Sequence, residues 1–181
     1  MNRFACVTGR FQPLHHQHMD LFSIALQKSD YLIVAITNPD VGARHDEQTS
    51  AHRHTQSANP FTFHERARLI TAALETAGMQ HRSMIVPFDL TRASHWHEYV
   101  PRAATHFVRA YSDWERQKAD ILRQGGYKVE LMEGDNQSRL SASDIRLEIA
   151  GEGGSWRTLV APGTVNLIDE FLRETPWGDR V

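Results

Sequence analysis

The chain has 181 residues, with 20 Lys and Arg against 22 Asp and Glu and a pI near 6.6. This balance produces no overall field for nucleic acid or for an anionic membrane, so we expect neither as a partner. The length is that of one ordinary domain, and we predict a single domain over residues 1–181. A single cysteine and the lack of a long apolar run predict a cytoplasmic protein without a signal peptide or a spanning helix.

The chain opens with a predicted strand that leads into a predicted helix. Residues 4–7 are apolar, and apolar residues recur at helical spacing over residues 21–26. A helix start attracts anions because its first backbone N–H groups have no partner within the helix. Groups that bind anions collect in the intervening turn, and the sequence therefore predicts a phosphate site there: Thr8, Gly9, Arg10, His15, His16 and His18.

The fold class follows from the next elements. Residues 31–37 form a continuous apolar, β-branched run, so the chain begins with a βαβ unit and parallel pairing. Further strands are predicted over residues 84–88, 106–111 and 127–132, with helices between them. We predict an α/β fold, a doubly wound Rossmann-like parallel sheet of about five strands with helices on both faces. Its ligand should lie at the carboxyl ends of the strands.

A second candidate anion site lies over residues 140–146, LSASDIR. Ser141 or Ser143 can cap a helix that begins there. Arg146, in the first turn of that helix, can reach an anion at the helix terminus.

The two segments together resemble a known enzyme family. GRFQPLHHQH over residues 9–18 and LSASDIR resemble the two signatures of the HxGH nucleotidyltransferase superfamily. The chain is most similar to the archaeal-type nicotinamide mononucleotide (NMN) adenylyltransferases, whose N-P-F-T-x-x-E-R string is intact over residues 59–66. Gln17 stands where the family has glycine, so its side chain must be turned aside from the phosphates.

The resemblance implies transfer of a nucleoside monophosphate from a nucleoside triphosphate to a phosphate-bearing acceptor, most closely ATP and NMN to NAD and pyrophosphate. It implies Mg²⁺ bound with the triphosphate, no protein-bound metal, and these catalytic residues: His15, His18 and Arg146. Nucleotide-binding residues would be Thr8, Gly9, Arg10, Phe11, Gln12, Ser141, Ser143 and Arg146. Acceptor-binding residues would be Asn38, Asn59, Phe61, Trp96, Tyr111 and Ser112.

Several alternatives stay open at this point. A cytidylyltransferase that acts on a phosphonate or a small alcohol phosphate would carry the same two signatures, and a nucleotide-sensing domain without chemistry would keep the pocket. Trp96 is either part of the acceptor pocket or ordinary core. Residues 40–57 read as a long inserted loop, either solvated or a lid over the acceptor. A homo-oligomer is an open alternative to a monomer.

The eleven histidines raise a further alternative, a zinc site. Candidate ligands would be His45, His52 and His54, or His95 and His97. These spacings lack the cysteines of structural zinc sites and the H-E-x-x-H pattern of catalytic ones, which favours nucleotide chemistry instead.

Overall fold

The computed structural model describes residues 2–45, 54–151 and 153–181. Its sheet has five parallel strands in the order β3-β2-β1-β4-β5. The strands are β1 Asn2–Gly9, β2 Ser29–Thr37, β3 Ser83–Phe88, β4 Thr105–Ala110 and β5 Lys128–Glu133. The doubly wound parallel sheet predicted from the sequence is therefore confirmed.

Six α-helices connect or follow these strands in the described part of the chain. They are α1 His16–Gln27, α2 Phe63–Thr76, α3 Trp96–Tyr99, α4 Asp113–Gln124, α5 Ala142–Ala150 and α6 Val165–Glu174. The predicted cap of α2 is present, because the Glu65 N–H donates to the Thr62 hydroxyl and the Glu65 carboxylate accepts from the Thr62 N–H. No helix among the described residues is long and apolar enough to cross a membrane.

Side chains of β2 alternate between two core clusters on opposite faces of the sheet. Leu32, Val34 and Ile36 join a cluster with residues of α1 and α2. Ile33 and Ala35 join the other cluster, which includes residues of α3 and α4. A strand that is apolar on both faces needs helices on both sides, which is why this run has no polar alternation.

A third cluster lies beside the sheet and gathers the second signature with the C-terminal helix. Phe61, Ile145, Trp156 and Phe171 are all buried in it. Arg180 holds this cluster to the N-P-F-T string, since its guanidinium donates to Glu65 Oε1 at 2.8 Å. The chain after the second signature thus supports the position of α5.

The strand order places a crevice between β1 and β4. Pairing of these two strands covers only Ala5 with Thr105 and Cys6 with His106. Beyond those pairs the carboxyl ends of both strands line a cavity instead of pairing with each other. This is the topological switch point of the sheet, where doubly wound folds bind their ligands.

Candidate active site

Gly9 and Phe11 shape the loop that carries the first signature. Phe11 has a positive φ of 51°, and its ring packs edge-on against Phe22 and His18 at 5.7 and 5.0 Å. A Cβ atom on Gly9 would lie only 2.8 Å from the Phe11 ring. Glycine is required there because any side chain would displace this ring from its place under the histidines.

His15 and His18 lie against each other at the start of α1. Their rings stack with centroids 3.7 Å apart, and the His15 N–H donates to His18 Nδ1 at 3.2 Å. Removal from water lowers the pKa of His15 to about 3, and burial together with His15, Lys118 and Arg109 lowers the pKa of His18 well below its usual value. Both rings are therefore neutral near pH 7. Since Nδ1 of His18 accepts a hydrogen bond, the ring proton lies on Nε2 and is available to a phosphate oxygen.

The cavity beside these histidines has a volume of about 280 Å³ and is lined by four cationic side chains: Arg10, Arg109, Lys118 and Arg139. Lys118, on α4, donates to the Thr8 carbonyl at 3.1 Å. Arg109 comes from the carboxyl end of β4. A cavity with this charge is suited to a polyanion such as a triphosphate.

Sequence reasoning predicted only Arg10 among these four cations. A signal for Lys118 exists, because it lies four residues after Trp114 and four before Leu122, both of which are buried on α4. Arg109 near the end of a predicted parallel strand was a second signal. Without the positions of the neighbouring strands, nothing distinguishes either residue from an ordinary charged residue on the surface.

The second signature reaches the same cavity. Ser141 caps α5 by accepting from the Ser143 N–H at 3.2 Å, and both serines line the cavity. Arg146 is 8% exposed and donates to the Gln12 carbonyl and to Ser143 Oγ, each at 2.9 Å. It lies behind the cavity lining and joins the two signatures, so its direct contact with phosphate stays a prediction.

The N-P-F-T-x-x-E-R string makes hydrogen bonds to the first signature. Gln12 and the Phe61 backbone exchange two hydrogen bonds, with Nε2 to O at 2.8 Å and N to Oε1 at 2.9 Å. Arg66, 1% exposed, donates to the backbone carbonyls of Arg10, Thr37 and other residues at the carboxyl end of β2. Sequence reasoning noted Arg66 in the string but missed that it joins the two strand ends.

A second cavity of about 350 Å³ lies at the carboxyl ends of β2 and β3, where Trp96, Asp40 and Arg92 are among its lining residues. Trp96 is 1% exposed, its ring stacks on Phe88 with centroids 5.4 Å apart, and its Nε1 donates to the Asp89 carbonyl at 2.7 Å. Of the two readings of Trp96, the packing favours core.

The predicted acceptor residues are therefore not brought together. Tyr111 lines the first cavity with the phosphate-binding groups. Asn59 and Phe61 are buried away from both cavity linings, and the hydroxyl of Ser112, the N-cap residue of α4, donates to the Glu115 carboxylate. Asn38 lies beside Pro39 and Asp40 of the second cavity, and its carbonyl accepts from Arg66. Acceptor contacts for these residues stay predictions.

No group of three potential metal ligands occurs among the described residues, and the set His45, His52 and His54 is untested. His52 lies outside the described residues, as does the centre of the 40–57 loop, so the lid is untested. The described flanks of that loop, including Asp40 and Ala43, line the second cavity.

The chain is similar to several known proteins. A family model described as cytidylyltransferase-like matches residues 6–148. Phosphonoformate cytidylyltransferase of Streptomyces viridochromogenes is 35% identical over 165 residues, covering 91% of this chain and 89% of that relative. Nicotinamide-nucleotide adenylyltransferase of Pyrococcus abyssi is 31% identical over 165 residues, covering 90% of this chain and 81% of that relative.

The fold also matches a solved structure. A bifunctional NMN adenylyltransferase/ADP ribose pyrophosphatase from Francisella tularensis superposes with a TM-score of 0.70 at 20% identity. The match covers 100% of this chain and 53% of that chain, so this protein spans about half the length of that one. Because the family model spans most of its length and both signatures meet at one cavity, the chain belongs to the cytidylyltransferase-like family of HxGH nucleotidyltransferases and is a nucleotidyltransferase.

Proposed function

We propose that this nucleotidyltransferase transfers a cytidylyl group from CTP to a small acceptor that carries a phosphonate or phosphate, and releases pyrophosphate. The observation that carries nucleotidyl transfer is the cavity at the β1–β4 crevice, which both signatures line together with four cationic side chains. The cytidylyl donor and small acceptor are supported by the 35% identity to phosphonoformate cytidylyltransferase and by the packing of Trp96.

The chemistry of this reaction needs no general base, because a phosphate or phosphonate oxygen is already ionised near neutral pH. That oxygen forms a bond to the α-phosphorus in line as the bond from the α-phosphorus to the bridging oxygen breaks, and the electron pair leaves with pyrophosphate. The enzyme contributes position and charge stabilisation. The His18 Nε2–H and the cations Arg10 and Lys118 are the groups that would meet the growing negative charge.

We propose that Mg²⁺ binds together with the triphosphate, where it would neutralise part of the negative charge of the phosphates. Glu115 is the one carboxylate among the described residues that line the first cavity. Its Oε2 already accepts from the Ser112 N–H at 2.9 Å and from the Ser112 hydroxyl at 2.6 Å. Since this one carboxylate already accepts two hydrogen bonds, we propose that phosphate oxygens rather than protein groups supply most of the Mg²⁺ ligands.

The proposal for the acceptor depends on Trp96. A ring that stacks on the pyridine of NMN must expose one face, whereas Trp96 is 1% exposed and already stacked on Phe88. Arg92, which lines the same second cavity, offers a cation for a small anionic acceptor. A compact phosphonate is therefore better suited to this cavity than a nucleotide whose base must be stacked.

A second candidate is NMN adenylyltransferase with ATP as donor. It is supported by the archaeal relatives of that name, which are 28–31% identical over at least 90% of this chain. This candidate requires Trp96 to leave its contact with Phe88, or the pyridine to bind without it.

The test is pyrophosphate release, measured with CTP, ATP, GTP and UTP against phosphonoformate, small alcohol phosphates and NMN. We expect turnover with CTP and a phosphonate or small phosphate. Turnover confined to ATP and NMN would establish the second candidate instead. Binding of a triphosphate without pyrophosphate release from any pair would contradict both and favour a nucleotide sensor.

A further inference from the structure

Gln17 occupies a position in α1 where the family signature has glycine, so its side chain adds contacts that a glycine cannot make. Its amide lines the first cavity. Nε2 donates to the Ser138 carbonyl at 2.6 Å, and Oε1 accepts from the Tyr111 hydroxyl at 3.1 Å and from the Leu140 N–H at 2.9 Å. One side chain thus joins three segments that are far apart in sequence.

These contacts hold the beginning of the second signature. Leu140 directly precedes Ser141, the cap of α5, so fixing the Leu140 N–H fixes where that helix starts. On the buried side, Arg146 makes the matching link to the Gln12 carbonyl. The two signatures are therefore joined twice, by Arg146 behind the cavity and by Gln17 along its wall.

Tyr111 is held from several sides in the same wall. The Arg139 guanidinium lies over its ring at 5.3 Å from the centroid, and the backbone of Gly134 packs so closely that a Cβ atom there would collide with the ring. Its hydroxyl is the end that Gln17 holds. An aromatic ring fixed in this way before the ligand arrives lowers the ordering cost of binding.

We propose that Gln17 is a positioning residue that makes Tyr111 and residues 138–140 one rigid wall of the nucleotide cavity and thereby favours a pyrimidine nucleotide over a purine. The three hydrogen bonds of the bridging amide prevent Tyr111 and residues 138–140 from moving apart. A purine has a second fused ring and needs the room that such a movement would open. The proposal rests on the proposed function, since it assigns the choice of CTP to this wall.

The experiment compares Gln17→Gly, which restores the family residue, with Gln17→Leu, which keeps the bulk and helix propensity but makes none of the three hydrogen bonds. Gln27→Gly, at an exposed position of the same helix, is the matched control for the cost of glycine in α1. The readouts are the KM for each nucleotide, the KM for the acceptor, and the ratio of kcat/KM for CTP to that for ATP.

We expect both Gln17 variants to raise the KM for CTP about tenfold and to lower the CTP-to-ATP ratio about tenfold or more, within the range that size discrimination supplies. The acceptor KM should stay within about twofold, since Gln17 does not line the second cavity. Adding Tyr111→Phe to Gln17→Leu should cause little further loss, because the two changes remove the same link. Gln27→Gly should match the wild type in every readout.

The outcomes separate this proposal from the proposed function. A wild-type enzyme that prefers ATP refutes the proposed donor, and with it the pyrimidine preference assigned to Gln17, before any variant is made. A wild-type enzyme that prefers CTP, with an unchanged KM and ratio in Gln17→Leu, overturns the role of Gln17, whether or not Gln17→Gly is impaired, and leaves the proposed function intact.

Discussion

The first and second cavities are lined by different kinds of side chain. The first cavity, between β1 and β4, is lined by polar and cationic side chains held by hydrogen bonds between distant segments, such as Arg146 to Gln12 and Gln17 to Leu140. The second cavity, at the ends of β2 and β3, is backed by the aromatic core pair Trp96 and Phe88.

Because of this difference, we expect substitutions at the first cavity to affect turnover and truncation of Trp96 at the second cavity to affect stability. Side chains of the first cavity are placed by hydrogen bonds and line the space proposed for the nucleotide, so their loss should reduce turnover more than folding. Trp96, which lines the second cavity, is part of the core. Its truncation should therefore lower the free energy of unfolding more than it changes acceptor binding. Substitutions at each cavity therefore test whether this division is real.

The largest effect is expected for Trp96→Ala, which should lower the free energy of unfolding by about 3–5 kcal/mol, as truncation of a buried aromatic residue typically does. Chemical denaturation measures it, with Tyr99→Ala as the control because Tyr99 lines the same cavity but is 44% exposed. Trp96→Phe should retain most of the stability and the wild-type acceptor KM. A large rise in acceptor KM with unchanged stability would return Trp96 to the acceptor pocket.

The next effect is at His18, which lines the first cavity and whose Nε2–H we propose as a phosphate contact. His18→Ala should reduce kcat by about a hundredfold or more, equal to about 2.7 kcal/mol, because one preorganised electrostatic contact at the reacting phosphate is lost. Some stability is also lost with the Nδ1 contact to the His15 N–H. His16→Ala is the control, because His16 is exposed, contacts the Thr158 carbonyl and, contrary to the prediction from sequence, does not line the cavity. Wild-type turnover in His18→Ala would move the phosphates away from His18.

Arg146→Lys should have a smaller effect on the same cavity. Lysine keeps the charge but replaces the planar fork, whose two nitrogens donate separately to the Gln12 carbonyl and to Ser143 Oγ, by a single nitrogen, so the link between the signatures is weakened. We expect kcat/KM to fall about tenfold, or about 1.4 kcal/mol. Arg116→Lys, an exposed ion pair with Glu133, controls for the substitution itself. Wild-type pyrophosphate release in Arg146→Lys would mean that the bridge does not position the second signature.

The sequence predicted features that depend on neighbouring residues better than contacts between distant segments. Elements that depend on local signals were predicted, including the strands and the Thr62–Glu65 cap. The meeting of both signatures at one cavity was predicted from the family resemblance and not from a local signal. Lys118 was missed because its role needs α4 to lie over Thr8, a contact across 110 residues. Trp96 and Tyr111 were grouped together, although they lie in separate cavities, because sequence order does not reveal which strand ends adjoin.

The smallest effect concerns His106, which belongs to the aromatic cluster behind the second cavity. It is 0% exposed, its ring lies edge-on to Tyr127 at 4.8 Å, and neither ring nitrogen has a hydrogen-bond partner among the described residues. Burial, with a smaller contribution from Lys118, lowers the pKa of His106 to about 3. In the unfolded chain the group takes up a proton below about pH 6.5, whereas the folded state does not, so stability falls as the pH decreases from 6.5 towards 3.

At pH 6 this single group should already lower the free energy of unfolding by about 0.8 kcal/mol relative to high pH, a value set by the unfolded-state pKa because the folded-state pKa is so much lower. His106→Leu has no group to titrate and no buried nitrogen to desolvate, so it should lose that much less stability between pH 8 and pH 6. Denaturation curves at both pH values measure the difference, with His81→Ala as an exposed control. An identical pH dependence in His106→Leu and the wild type would mean that the folded and unfolded states take up this proton equally, so that burial does not lower the pKa of His106.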